Sequence, residues 1–301
     1  MSNKFLLALA IISASVWTSC KEQPVYVDMG TTITTDTTYV ASTVENPQDK
    51  KYLVEELSGV KCTNCPAGMA KLTEMNTNGP LAGKLVIASI HAGALTDMID
   101  GYSKQDFVVP ASSQLLELIL GGDPGKPCAS FDRYSMGQQN YLLLPNYNQW
   151  PANAANASDS ASSTPVNITV STESGIDENE FIITVKAHYT SAMSDQQMMT
   201  VYIVENDIID AMEYTSTVDT TYKFKHVLRS YVTPPTGRQI LKDIEITPGR
   251  VYEYKAVYKI DRSNPAEAVW NADNMNVIAF VSSGSPSTKR VYQVQEVKLK
   301  P

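Results

Sequence analysis

Hydrophobic and polar residues change rhythm several times along this chain, and each rhythm predicts a different kind of element. Phe5 to Trp17 is apolar and uncharged, yet shorter than the ~20 residues a bilayer-spanning helix needs. Lys21 to Lys50 is polar, Thr-rich and without helical periodicity, the pattern of a tether. Tyr52 to Leu57 reads as a strand ended by Ser58-Gly59. Cys65, Met69, Leu72 and Asn76, with Met75 beside them, repeat at helical spacing and predict a helix from about Cys62 to Asn76. Leu85 to Ile90 is a continuous apolar run, as in a strand buried on both faces. Ser112 to Leu120 predicts a second helix, stopped by Gly121-Gly122. This alternation is the βαβ pattern of an α/β domain.

Beyond Trp150 the rhythm shortens. Asn153 to Thr164 is small, polar and repetitive, the pattern of a short helix and then a linker. Val166–Val170, Phe181–Ala187, Met198–Val204, Val251–Ile260, Met275–Val281 and Val291–Leu299 read as strands, several of them alternating with period two. Such a run of strands predicts an antiparallel sandwich. The expected organisation is therefore a leader over residues 1–19, a polar tether over 20–50, an α/β domain over 51–160 and a β-sandwich over 161–301.

The leader has a positive start at Lys4, the apolar run, then Thr18-Ser19-Cys20. These are the features of a secretory signal. Cys20 at the cut resembles the bacterial lipobox, with Trp17 where Leu is usual, so Cys20 is expected to carry lipid and to anchor the mature chain. Lys21-Glu22 resembles the start of a surface-export signal of Bacteroidetes lipoproteins. The chain holds 24 basic and 32 acidic residues, a net charge of −8. That balance gives no footing for nucleic acid, which rewards clustered Lys and Arg.

Three cysteines remain after Cys20. Cys62-Thr63-Asn64-Cys65 follows a predicted strand and opens a predicted helix. A helix N-terminus stabilises a thiolate, and the adjacent Lys61 acts in the same direction. On a redox reading Cys62 is the nucleophile and Cys65 the resolving thiol. A structural bridge is the rival reading, because an exported protein meets an oxidising compartment. Zinc would want a second ligand pair, whereas Cys128, His91, His188 and His226 stand singly. Neither metal nor organic cofactor is expected.

The stretch Tyr52-Leu53-Val54-Glu55-Glu56-Leu57-Ser58-Gly59-Val60-Lys61-Cys62-Thr63-Asn64-Cys65-Pro66 resembles a block of the Omp28-related outer-membrane lipoproteins of Bacteroidetes. Gly125 to Arg133, His226 to Arg229, Asn276 to Val281 and Val291 to Gln293 fit the same family, in order. The resemblance implies a thioredoxin-like α/β domain followed by an all-β, immunoglobulin-like sandwich, held at the outer membrane and facing the periplasm or the surface.

Carried over residue by residue, the thioredoxin-like comparison makes Glu56 the buried acid that exchanges protons with Cys65. Alternation along the strand allows one of Glu55 and Glu56 to face inward. Pro127 takes the place of a cis-proline opposite the Cys pair, leaving the Lys126 backbone free to bind an extended peptide. Cys128 then lies near the pair, as an auxiliary thiol or a small buried hydrophobe. Lys61 departs from the Trp usual before the first Cys. His91, ending the buried strand, is expected to be structural. Two function classes follow: a thiol–disulfide oxidoreductase acting on protein or peptide thiols, or a non-catalytic surface binding or assembly lipoprotein with a locked bridge.

Overall fold

The computed structural model describes residues 31–135, 142–158, 163–285 and 288–301. The leader and Cys20 lie outside these residues. The chain is mostly β-sheet, arranged in several sheets. Its strands are β1 (Thr32–Val40), β2 (Tyr52–Ser58), β3 (Leu85–His91), β4 (Cys128–Phe131), β5 (Leu144–Pro145), β6 (Val166–Ser174), β7 (Glu180–Tyr189) and β8 (Gln197–Glu205). They continue as β9 (Ile208–Tyr214), β10 (Thr217–Phe224), β11 (Val227–Tyr231), β12 (Arg238–Ile240), β13 (Arg250–Lys259), β14 (Met275–Ser283) and β15 (Val291–Lys298). The helices are α1 (Cys65–Thr77), α2 (Ser112–Leu115), which runs on into a π-helical turn Leu116–Leu120, and α3 (Trp150–Ser158).

The largest sheet has the order β15-β14-β8-β11-β3-β2-β4-β5, with β12 also paired to β8. β2 and β3 run parallel, joined by α1, and β4 returns antiparallel to β2. Both faces of β2 and β3 are buried, so their sequences are apolar nearly throughout. One face carries α1 and α3, through Val54, Ile87, Leu72, Met75, Phe131 and Trp150. The opposite face packs Leu53, Leu57, Ala88 and Ile90 against Leu116, Tyr202, Leu228 and Phe280. A second sheet, β1-β13-β7-β6, is antiparallel throughout. It faces β8 and β14 across a core that includes Ile183, Val185, Tyr254, Val201, Ile203 and Val277.

Three expectations need correction. The stretch taken as a tether contains β1, laid along β13 from Thr32↔Val257 to Val40↔Arg250. Its residues are mostly exposed, so no buried face marks it in hydropathy; the β-branched Thr and Ile residues and the neighbouring strand hold it extended. The helix begins at Cys65, and Cys62 sits in the turn before it, where its carbonyl accepts from the Cys65 N–H at 3.0 Å. The boundary near residue 160 does not divide the sheet. β11 closes onto the free edge of β3 at Val227↔Ser89, with the Ser89 N–H donating to the His226 carbonyl at 2.7 Å. Pairing an otherwise bare edge is the physical reason.

Buried polar contacts cluster around β2. Arg133 donates to Glu55 from Nε (2.9 Å) and Nη2 (2.7 Å), and the Tyr202 hydroxyl of β8 donates to Glu55 at 2.9 Å. Lys50 pairs with Asp132 at 2.6 Å, and the Leu53 N–H donates to the same carboxyl at 2.9 Å.

Candidate functional site

β2 ends in the turn Gly59-Val60-Lys61, and α1 starts at Cys65 with Pro66 in its first turn. Proline fits there because its missing N–H has no helical acceptor. Cys62 and Cys65 form a disulfide, with Sγ atoms 2.07 Å apart and Cα atoms 5.3 Å apart. Each cysteine is only 2 % exposed, although Thr63 and Asn64 between them face solvent. The cover consists of Val60, Ile99, Phe107 and, from the hairpin β9–β10 and its flank, Ile208, Ala211, Met212, Phe224 and Val227.

Glu56 lies on β2 between Ser89 of β3 and Ala129 of β4. It shares the α1 face of the sheet with Val54 and is completely buried. Its Oε2 accepts from the Ser89 hydroxyl at 2.6 Å, while Oε1 makes no well-formed hydrogen bond among the described residues, with the Ser58 hydroxyl beside it. Burial pushes the carboxyl up to about 7, against the pull of the Ser89 and Ser58 hydroxyls and the Lys126 charge. Glu55 is completely buried too, on the opposite face. The expectation that only one of the two turns inward is corrected: a sheet covered on both sides buries both.

The Lys126–Pro127 peptide is cis. Pro127 packs on α1 at Gly68, where a methyl group would stand 2.9 Å from the proline Cβ and 3.2 Å from Trp150. Pro127 and the helix opened by Cys65 are therefore on one side of the sheet. The Lys126 side chain is 1 % exposed and its Nζ donates to Asp123 at 2.5 Å. Cys128 pairs with Leu57 and packs with it on the face away from α1. Burial, then the charges of Asp123 and Glu56, push its thiol well above the ordinary range. Cys128 thus stands apart from the Cys62–Cys65 face as a protonated, apolar group.

His91, on the α1 face at the end of β3, is 1 % exposed. Its ring packs edge to face on Phe107 (5.1 Å) and Phe224 (6.1 Å). Burial, then Arg229 and Lys126, hold its imidazole down at about 3, so it is neutral. Among the described residues no group of three His, Cys, Asp or Glu side chains is placed to hold a metal. A cavity of about 10 Å³ between Cys65, Ser58, Ser89, Met212 and Tyr222 has room for a single water.

The profile of the family "Outer membrane protein Omp28" matches residues 122–301, more than half of the chain. The chain belongs to the Omp28 family. Membership places this protein at the cell envelope. The matched stretch includes Lys126, Pro127, Cys128 and the hairpin β9–β10, and the Cys62–Cys65 pair lies N-terminal to it. Among solved structures, HBP35 of Porphyromonas gingivalis is similar over 85 % of this chain and 77 % of that chain, at 16 % identity and a TM-score of 0.65. That likeness is one of fold. A β-glucosidase from Kluyveromyces marxianus aligns over 46 % of this chain and 14 % of that chain, at 14 % identity and a TM-score of 0.23, too low to bear on the fold. No curated protein matches the chain.

The hairpin is what sequence reading missed at the site of this Omp28-family chain. Its two strands and the following β11 were not among the expected elements. The signal was present in weak form: Ile208, Met212 and Phe224 are apolar within a polar, Thr-rich stretch. Nothing local ties those residues to Cys65, more than a hundred positions away.

Proposed function

We propose that this Omp28-family protein is a lipid-anchored envelope protein that exchanges disulfides with extracytoplasmic proteins. The reading takes Cys20 as the lipid-bearing residue, residues 51–160 as a thioredoxin-like unit and 161–301 as a sandwich that positions it. A parallel strand pair joined by α1, flanked by an antiparallel strand that follows Pro127, supports the first unit. The observation that carries the reading is Glu56. A carboxyl buried without a charged partner costs stability, and costs of that kind collect where chemistry needs a group titrating near neutrality.

The chemistry follows from the placement. A partner thiolate attacks Cys62 Sγ, the S–S bond breaks, and its electron pair leaves on Cys65 Sγ, which takes the proton of Glu56. The small cavity beside Cys65, Ser58 and Ser89 accommodates the water that would relay it. The partner's second thiol gives its proton back to Glu56 and attacks the mixed disulfide, and Cys62 leaves as a thiolate, which takes from solvent the proton the first partner thiol released on ionising. Two electrons and two protons pass from the partner dithiol to the pair; the reverse sequence reduces a partner disulfide.

A second reading is favoured by the 2 % exposure of both cysteines: a non-catalytic binding or assembly lipoprotein with a locked bridge. Trapping separates the two. Cys65→Ser leaves Cys62 able to hold a partner as a mixed disulfide, and covalent adducts from envelope extracts, absent with Cys62→Ser, are expected. Absence of any adduct leaves the locked-bridge reading standing.

A further inference from the structure

The chain between β8 and β11 makes an excursion that the sheet itself does not require. Glu205, at the end of β8, pairs directly with Val227, at the start of β11. Residues 206–226 lie between these paired positions, and they form the hairpin β9–β10. The two roots of the hairpin touch: the His226 N–H donates to Asn206 Oδ1 at 2.9 Å. At both roots a residue other than glycine takes a left-handed backbone, Asp207 at φ 58° and His226 at φ 56°, turning the chain out of the sheet and back. The ladder below the roots is therefore complete without the hairpin.

The hairpin is its own two-stranded sheet and extends neither of the larger ones. Its pairing is interrupted between Asp219 and Tyr222. Among the described residues, between its roots it is tied to the fold beneath by the Glu213 N–H donating to the Val60 carbonyl at 2.8 Å, the Lys104 N–H donating to the Asp210 side chain at 2.9 Å, and the Lys104 ammonium donating to the Ile209 carbonyl. A two-stranded hairpin has marginal stability of its own, so its place depends on the apolar contact beneath it. That contact is Ile208, Ala211, Met212 and Phe224 over Val60, Cys62 and Cys65. Its outer side is solvated, with Ile209 42 % exposed and Thr220 and Thr221 exposed.

We propose that the hairpin β9–β10 is a built-in plug over the Cys62–Cys65 disulfide, which swings out on its roots at Asn206 and His226 to admit an attacking thiol while β8 and β11 stay paired. Its purpose rests on the exchange reading; its existence does not. Elements that open alone are those with few backbone bonds to the rest of the fold, and this hairpin, paired only with itself, sits in that class while the sheet beneath does not. The same movement uncovers His91, whose ring lies against Phe224 of the hairpin. Closed, the plug keeps solvent thiols off the pair.

The test is the reduction of Cys62–Cys65 in the full-length protein by tris(2-carboxyethyl)phosphine. The phosphine gives two electrons to the S–S bond and takes oxygen from water, whose protons complete the two thiols. Maleimide tagging and peptide mass mapping follow the product, and amide exchange follows β8, β11 and the hairpin. The rate is expected to rise with phosphine and then level off, the plateau being the opening rate. Met212→Ala and Phe224→Ala should each speed reduction at least about tenfold, with exchange in β8 and β11 unchanged. Should those variants fail to fold, Asn206→Ala, which loosens the root without touching the cover, should move the rate in the same direction.

A rate linear in phosphine and indifferent to all three substitutions overturns the plug. So does reduction that keeps pace with exchange in β8 and β11, because the pair is then reached only by general unfolding. Plateau kinetics without any trapped partner would sink the exchange reading alone. A trapped partner together with a linear rate indifferent to the substitutions would sink the plug alone.

Discussion

Glu55 and Glu56 are neighbours on β2 that point to opposite faces of one sheet, and both are completely buried. Their surroundings differ in kind. Glu55 is met by a two-pronged Arg133 and by the Tyr202 hydroxyl. Glu56 is met by the Ser89 hydroxyl, with the Ser58 hydroxyl beside it. One carboxylate is matched by a guanidinium and serves the seam between the two halves of the sheet. The other has no such partner and faces the side of the disulfide.

The matched pair should be structural. Arg133→Ala leaves the Glu55 charge buried and uncompensated, and the expected loss is about 3–5 kcal/mol. Tyr202→Phe removes one hydrogen bond to the same carboxylate and should cost about 1–3 kcal/mol. Urea unfolding of both variants measures this. An Arg133→Ala loss no larger than that of Tyr202→Phe would mean the ion pair does not carry the seam.

Glu56 makes stability depend on pH. Its ordinary value is 4.5 and the folded chain holds it at about 7. Below pH 4.5 the carboxyl is protonated in both states and has no effect. Between 4.5 and 7 only the unfolded chain ionises, so stability falls as pH rises. Above 7 the loss levels off at about 3 kcal/mol. His91, held down at about 3, slopes the opposite way between pH 3 and 6.5, so the raw curve mixes the two. The difference between Glu56→Gln and the native chain isolates Glu56. It should grow in favour of the variant from pH 4.5 to 7 and then stay flat. A difference independent of pH would place an ordinary, solvated carboxyl at this position.

How much of this was readable beforehand depends on whether the signal is local. β2, α1 and β3 were legible because each buries its own apolar pattern: Leu85 to Ile90 is continuous, and Leu72 and Met75 face the sheet at helical spacing. The Cys pair was legible from its place between a predicted strand and a predicted helix, and Pro127 through resemblance. β1 was not, because an exposed strand of Thr residues has no hydrophobic period and is defined by β13 alone. The joining of β11 to β3 was not, because a pairing at Val227↔Ser89 links residues far apart in sequence. The cover over the disulfide was missed for the same reason: Met212 and Phe224 acquire their meaning only from what lies beneath them.

Cys128 offers a check on which sulfurs can react. It is completely buried on the face away from α1, and burial with nearby Asp123 and Glu56 keeps it protonated. In the native protein it should resist maleimide over hours and become reactive only on unfolding, since the thiolate is the nucleophile. Cys128→Ala should leave the rate of Cys62–Cys65 reduction unchanged. Rapid native labelling of Cys128 would contradict its placement.

Gly68 sets two effects of opposite sign against each other. It lies inside α1, where alanine is the better helix former by about 1 kcal/mol. Yet a methyl group there would meet Pro127 Cβ at 2.9 Å, Pro127 Cγ at 3.0 Å and Trp150 at 3.2 Å. None of these is the loose end of a flexible side chain: the proline ring is rigid, and Trp150 is completely buried, with its indole N–H donating to the Leu144 carbonyl at 2.9 Å. Overpacking of a fixed site costs about 1–3 kcal/mol, which exceeds or cancels the helix gain. Gly68→Ala should therefore lower the thermal midpoint despite its better helix propensity. It should also push α1, and Cys65 with it, away from Pro127. A higher midpoint for the variant would show that Pro127 and Trp150 yield, and that the close seating of α1 on the proline is not a constraint of the site.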